Sequence, residues 1–177
     1  MKIAIQETLK SRPSRRSEPV IMFSVAHQTF VIAAESVQEI RSTDSLSGTA
    51  AELDHTDLPK VRHMVERAHR TYFVVNAGAH FGLPVTRPTL VLIMRQLRVA
   101  VLVDRIERMA EISAVYPLPR AFTGNERRWY RGLAYLDDHV MPVIRPTGFL
   151  TVDEFRQLDQ IAKLAASQRE LEGALPS

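Results

Sequence analysis

The chain contains no cysteine. This removes disulfides, thiolate metal ligands and a thiol nucleophile together, and leaves six scattered histidines as the remaining source of soft metal ligands. No stretch of apolar residues is long enough for a membrane-spanning helix, and the opening MKIAIQETLKSRPSRRSEP has charges breaking its apolar positions, unlike a secretory leader. A cytoplasmic protein of a reducing compartment, with no membrane insertion, is the expectation. Glycine is also scarce, at seven in 177 residues, and never clustered. The chain therefore has no GxxxxGK[ST], GxGxxG or GxSxG, the patterns that cradle phosphates or present a serine nucleophile.

Charge of one sign is missing from most of the chain. The formal excess of +3 lies wholly in residues 1–19, where Lys2, Lys10, Arg12, Arg15 and Arg16 outnumber Glu7 and Glu18, and the remainder carries 18 basic and 18 acidic residues. Residues 1–19, punctuated by proline and serine, read as a flexible basic tail that cannot bury a core. A groove for nucleic acid needs clustered, uncompensated cations. The segment Arg127–Arg128–Trp129–Tyr130–Arg131 is the one place where cations and aromatics mix, and it motivates an alternative reading as a small nucleic-acid-binding β-barrel.

What is present is apolar residues at 45% of the chain, arranged in short runs. VIMFSV (20–25) and TFVI (29–32), joined by Ala26–His27–Gln28, predict a hairpin. ESVQEIRS predicts a brief helical turn and then a strand, with Val37 and Ile40 inward and Glu39 and Arg41 outward. Residues 42–60 read as a long surface loop. VRHMVER and TYFVV predict strands, the second buried on both faces. TLVLIM and VAVLVD predict a second hairpin around residues 95–98, continued by IERMAEISAV. WYRGLAYL and HVMPVI predict a third around Asp137–Asp138, short acidic residues that tolerate unusual backbone angles. Seven or more strands with no amphipathic helices between them point to a small barrel or sandwich. Thr151–Val152–Asp153–Glu154 is a capping box, and Val152, Phe155, Leu158, Ile161, Ala162 and Ala165 follow at helical spacing. A helix over 152–173 is predicted, stopped by Gly173 and packed on the strands by that stripe, with few apolar anchors beyond Ser167.

No catalytic constellation emerges. His63 and His69 flank Glu66 but lack the i, i+4 spacing of a helical zinc site. Asp137 and Asp138 are adjacent, so on strands they would point to opposite faces.

Four segments in order resemble the CheW-like family of chemotaxis adaptors: FSVAHQTFVIAAESVQEIR, TYFVVNAGAHFGL, VLIMRQLRVAVLVDRIERMAEI and RGLAYLDDHVMPVI. The resemblance spans about Val20 to Asp153. It implies a mainly β fold of two small SH3-like five-stranded barrels over 20–151 with an added C-terminal helix. It also implies a non-enzymatic scaffold without cofactor or metal, linking a chemotaxis-type histidine kinase to a methyl-accepting receptor or a related sensory array. Carried over by position, Val37 and Glu39 match the family's V-x-E, and Val103, Asp104 and Ile106 its V-D-x-V, all associated with partner contacts. The family's N-L-R-G falls on Glu66–Arg67–Ala68–His69, so Ala68 stands at the expected arginine and His69 at the turn glycine. Asn76 likewise replaces an aspartate. A residue with a Cβ resists positive φ, so this turn is expected to differ locally. Arg67 or Arg70 could supply the charge from a neighbouring position, although successive strand residues face opposite ways.

Overall fold

The computed structural model describes residues 17–47, 49–53 and 56–173; the predicted tail lies outside them except for its last three residues. Eleven strands run β1 (Glu18–Val25), β2 (Gln28–Ala33), β3 (Val37–Ser42), β4 (Ala50–Glu52), β5 (Val61–Arg67), β6 (Arg70–Asn76), β7 (Leu90–Met94), β8 (Val99–Val103), β9 (Arg105–Ile112), β10 (Tyr130–Leu136) and β11 (His139–Ile144). Short helices α1 (Ala77–Phe81) and α2 (Glu126–Trp129) interrupt them, and α3 (Val152–Gly173) follows. The fold is mainly β, in two sheets ordered β10-β11-β2-β1-β9 and β3-β7-β8-β6-β5-β4. The chain passes between sheets at a 3-10 turn, Ala34–Ser36, and again between β8 and β9.

The continuous apolar runs follow from burial of both strand faces. Along β1, Val20 and Met22 enter a small cluster with Val31, Ile112, Ala134 and Val143. The alternate residues Ile21, Phe23 and Val25 enter a larger cluster shared with the other sheet. The second sheet divides likewise: Tyr72, Val74, Val91 and Ile93 line its own cluster, while Phe73, Val75, Leu92 and Met94 face the shared one. Each sheet thus has a private core and contributes its other face to a common core. Burial of one such large apolar side chain stabilises by about 1.5–3 kcal/mol.

Helix α3 carries the chain end from the first sheet onto the second. The capping box forms: the Glu154 backbone N–H donates to Thr151 Oγ1 at 3.2 Å, and the Thr151 N–H donates to the Glu154 carboxylate at 2.8 Å. Leu158 and Ala162 are buried, Phe155 meets Phe73 edge-on at 5.5 Å, and Arg98 reaches Asp159 at 2.8 Å. From Ala166 to Gly173 every residue is exposed.

Several expectations need correction. The second sheet has six strands rather than five, because residues 42–60, read as loop, contain a 3-10 turn (Thr43–Leu46) and β4, which pairs with β5. Ile40 is not buried but 39% exposed. A bulge between Val37 and Glu39 breaks the alternation, and Ile40 lies on an edge strand with no neighbour beyond it. Val152 does not belong to the packed stripe; it is 67% exposed in the first turn of α3. The first hairpin connection is two residues long, not three.

The turn at Ala68–His69 does not differ from an ordinary tight hairpin. Its φ values are 49° and 60°, matching Ala26–His27 (48° and 66°) and Asp137–Asp138 (48° and 64°). All three two-residue turns have both residues at positive φ, as the right-handed strand twist favours, and none uses glycine. Tertiary pairing of β5 with β6 outweighs the local cost of about 1 kcal/mol or more per left-handed residue. Replacing Ala68–His69 by Asn–Gly should therefore stabilise the protein by about 1–2 kcal/mol, measured as a raised urea midpoint with an unchanged denaturant slope.

Candidate functional site

The residues singled out by resemblance fall into two groups at opposite ends of the second sheet. At one end lie Val37, Glu39 and Ala68. Val37 is buried in the shared core, and the turn before it is latched by Arg95, whose guanidinium donates to the carbonyls of Glu35 at 3.0 Å and Val37 at 3.3 Å. Glu39 lies opposite Ile93 and Arg67 opposite Arg70, which puts both on the face that lines the second sheet's private core. The sheet curls enough to bring them together although β7, β8 and β6 separate their strands. The Glu39 carboxylate binds Arg67 at 2.7 Å and Arg41 at 2.8 Å, with the Glu39 and Arg67 side chains 30% and 32% exposed. Arg67, one residue before Ala68, thus places a guanidinium beside this carboxylate. A pair this accessible stabilises by about 1 kcal/mol or less; its larger effect is to fix the carboxylate's position at the sheet rim.

At the other end lie Val103, Asp104 and Ile106. Val103 is fully buried, and Ile106 packs partly buried beside Phe23. Asp104 occupies the crossing from β8 to β9. Its carboxylate accepts the Ala26 N–H at 2.7 Å and the Thr86 hydroxyl at 2.6 Å. Its own N–H donates to the Ser24 carbonyl, and its carbonyl accepts the Thr89 hydroxyl. This aspartate ties the first hairpin, the 83–89 segment and the inter-sheet crossing together.

Asn76, in place of aspartate, caps α1 by accepting the Ala79 N–H at 3.0 Å, and Gly82 closes that helix at φ 66°. In the 127–131 segment, Arg131 forks onto Glu18 at 2.8 and 2.5 Å. That hydrogen bond holds the Glu18 carboxyl below its usual range, against its partial burial. Trp129 is half-buried, with the His80 ring at 5.0 Å and Phe81 edge-on at 5.6 Å. Arg127, Arg128 and Arg131 are exposed, the last paired with Glu18. Among the described residues, no group of three His, Asp or Glu is placed to hold a metal ion, and no helix is long and apolar enough to cross a membrane.

A cleft that the sequence marked only through Arg127, Arg128 and Trp129 lies between α1, α2 and the start of α3. It is an open cleft of about 560 Å³ whose lining includes Lys60, His80, Trp129, Arg145, Leu150 and Glu154. Lys60 binds the Glu154 carboxylate at 2.8 Å. Burial works to raise that carboxyl's pKa, but the Lys60 ammonium and the Thr151 backbone together hold it below its usual range. His80 is only 7% exposed, packed among Phe81, Trp129 and Phe149. Burial first, and the Lys60 charge second, push its pKa down to about 3, with Glu154 opposing.

Two outcomes follow. Unfolded His80 takes up a proton below about pH 6.5 and folded His80 does not, so its contribution is complete above that pH and is lost as pH falls toward 3. Stability should therefore drop by about 2 kcal/mol between pH 7 and pH 5, and H80Q should flatten that slope in denaturant titrations. D104A strands the Ala26 N–H and should cost about 2 kcal/mol, whereas D104N keeps an acceptor for it and should cost less than half as much, as read by thermal unfolding.

A search of curated proteins finds no match. Among solved structures, the scaffolding protein TtCheW from Thermoanaerobacter tengcongensis is similar in fold: 15% identical, with a TM-score of 0.65, over 77% of this chain and 94% of that one. The model of the CheW-like domain matches residues 19–154, from the start of β1 to the capping box of α3. The span takes in both sheets, the Glu39–Arg67 rim and the Asp104 crossing, and the chain belongs to the CheW-like domain family.

Proposed function

We propose that this chain is a non-enzymatic adaptor of chemotaxis-type signal transduction, acting in the cytoplasm and coupling a histidine kinase to chemoreceptors or a related sensory array. The family match over residues 19–154 carries this reading. On it, residues 20–151 form the adaptor domain, the two curled sheets serve as rigid SH3-like barrels, residues 1–19 are an appended basic tail, and residues 152–173 are an appended helix. No cofactor or metal takes part.

The partner surface is the rim around Glu39, with Arg67 and Arg41 beside it and the Ala68 turn adjoining. A small charged rim next to apolar strands suits recognition in which apolar contact supplies affinity and charge supplies orientation. Val37, being buried, shapes that surface from beneath, while Val103 is buried at the other end of the sheet. Asp104 and Ile106 set the relation of the two sheets rather than touching a partner.

Calorimetric titration with the regulatory domain of a chemotaxis-type histidine kinase from the same organism should give a dissociation constant on the order of micromolar that survives moderate salt. E39R places a third cation beside Arg41 and Arg67 and should weaken binding at least about tenfold. The double variant E39R/R67E rebuilds an ion pair of reversed polarity: continued loss would mean that the partner reads the sign of the charge. Unchanged binding by E39R would remove this surface, and no binding by the wild-type chain would remove the kinase as partner.

A further inference from the structure

The cleft beside α2 lies at the far end of β5 from the Glu39 rim: Lys60 immediately precedes β5, and Arg67 ends it. Four cations line it, Lys60, Arg127, Arg128 and Arg145, against one carboxylate, Glu154. Lys60 and Glu154 neutralise each other. Arg127 and Arg128 donate only to neutral oxygens, those of Pro119 and Asn125. Among the described residues, none of the three arginines meets a carboxylate within salt-bridge distance. Glu126, on the same short helix, folds back against Gly124 instead of lining the cleft. The remaining wall mixes apolar Leu58, Pro59, Leu150 and Val152 with polar Asn125, Thr147 and Thr151. In its floor, His80 is more than nine-tenths buried and makes no hydrogen bond among the described residues.

We propose that this cleft docks an acidic segment of a partner protein, its carboxylates bridging Arg127, Arg128 and Arg145 and its apolar side chains resting on Trp129, Leu150 and Val152. Arginine forks match carboxylates in pairs, and three of them on one side of a cleft select a chain bearing several acids over a single ion. The volume lies in the range of sites that enclose a sizeable ligand. An acidic peptide fits better than nucleic acid. The Trp129 ring is wedged against His80 and Phe81 rather than presented as a stacking face, and half of the lining is apolar where a phosphate track would be cationic throughout. The proposal stands apart from the adaptor reading, since none of its residues belongs to the Glu39 rim.

The protein supplies its own reporter, because Trp129 is the only tryptophan in the chain. The full-length protein would be titrated with a short synthetic peptide alternating glutamate with leucine, while Trp129 emission is followed. A saturable change is expected, absent with the same peptide carrying lysine for glutamate, and weakened at least about tenfold in R127A/R128A/R145A. Those three side chains are exposed, so the variant should keep the wild-type melting temperature. An emission change that the triple variant reproduces at full affinity, or none at all, overturns the proposal. Tighter binding of a single-stranded oligonucleotide gives the cleft to nucleic acid, and equal saturation by inorganic phosphate reduces it to a general anion site; both outcomes overturn it. Failure of the kinase titration would leave this result untouched, because the two use different residues.

Discussion

Burial of both faces of the inner strands β1, β2, β6, β7 and β8 is the constraint on which this molecule depends. A sheet with one wet face tolerates polar residues at alternate positions; here Phe23 and Met22, adjacent in β1, enter different cores. Those strands are therefore apolar almost throughout, outer strands such as β9 keep an exposed polar face, and the polar groups of the interior fall at the places where the chain leaves a sheet. At those places they must be fully satisfied. Asp104 meets that demand at the crossing between β8 and β9, and Arg95 at the entry to β3.

The same constraint explains how much of the fold could be read in advance. Strands β1, β2 and β6 to β8 announce themselves as apolar runs because both of their faces are dry, while β5, β10 and β11 mix apolar with exposed positions, and the α3 capping box is legible because four consecutive residues contain it. What is not local was not legible. Strand β4, Ala50–Ala51–Glu52, has no strand character of its own and exists because β5 offers it an edge. The bulge after Val37 leaves no mark in composition, yet it decides where Ile40 faces. The positive φ of Ala68 and His69 runs against their residue types and is imposed by the pairing on either side. The family likeness named Glu39 and Asp104, but that one is an electrostatic rim and the other a structural tie depends on contacts across the sheet. The cleft draws its lining from four stretches of chain, 58–60, 79–80, 125–129 and 145–154, of which only the run of Arg127, Arg128 and Trp129 stood out in the sequence.

Helix α3 begins inside the matched family span and continues past it. Glu154 serves three neighbours at once: it returns the capping bond to Thr151, neutralises Lys60, and opposes that lysine's effect on His80. The start of the helix is thereby coupled electrostatically to the cleft, while its exposed final turns contribute little to packing.

The pairing of Glu39 with Arg67 separates a position in the chain from a position in space. The position that the family resemblance assigns to an arginine holds Ala68 here, and the residue before it is Arg67. The curl of the sheet carries that guanidinium to a carboxylate on β3, with three strands lying between the two. A surface of this kind is defined by where its charge stands rather than by which residue number bears it, so more than one sequence can present a partner with the same electrostatic shape.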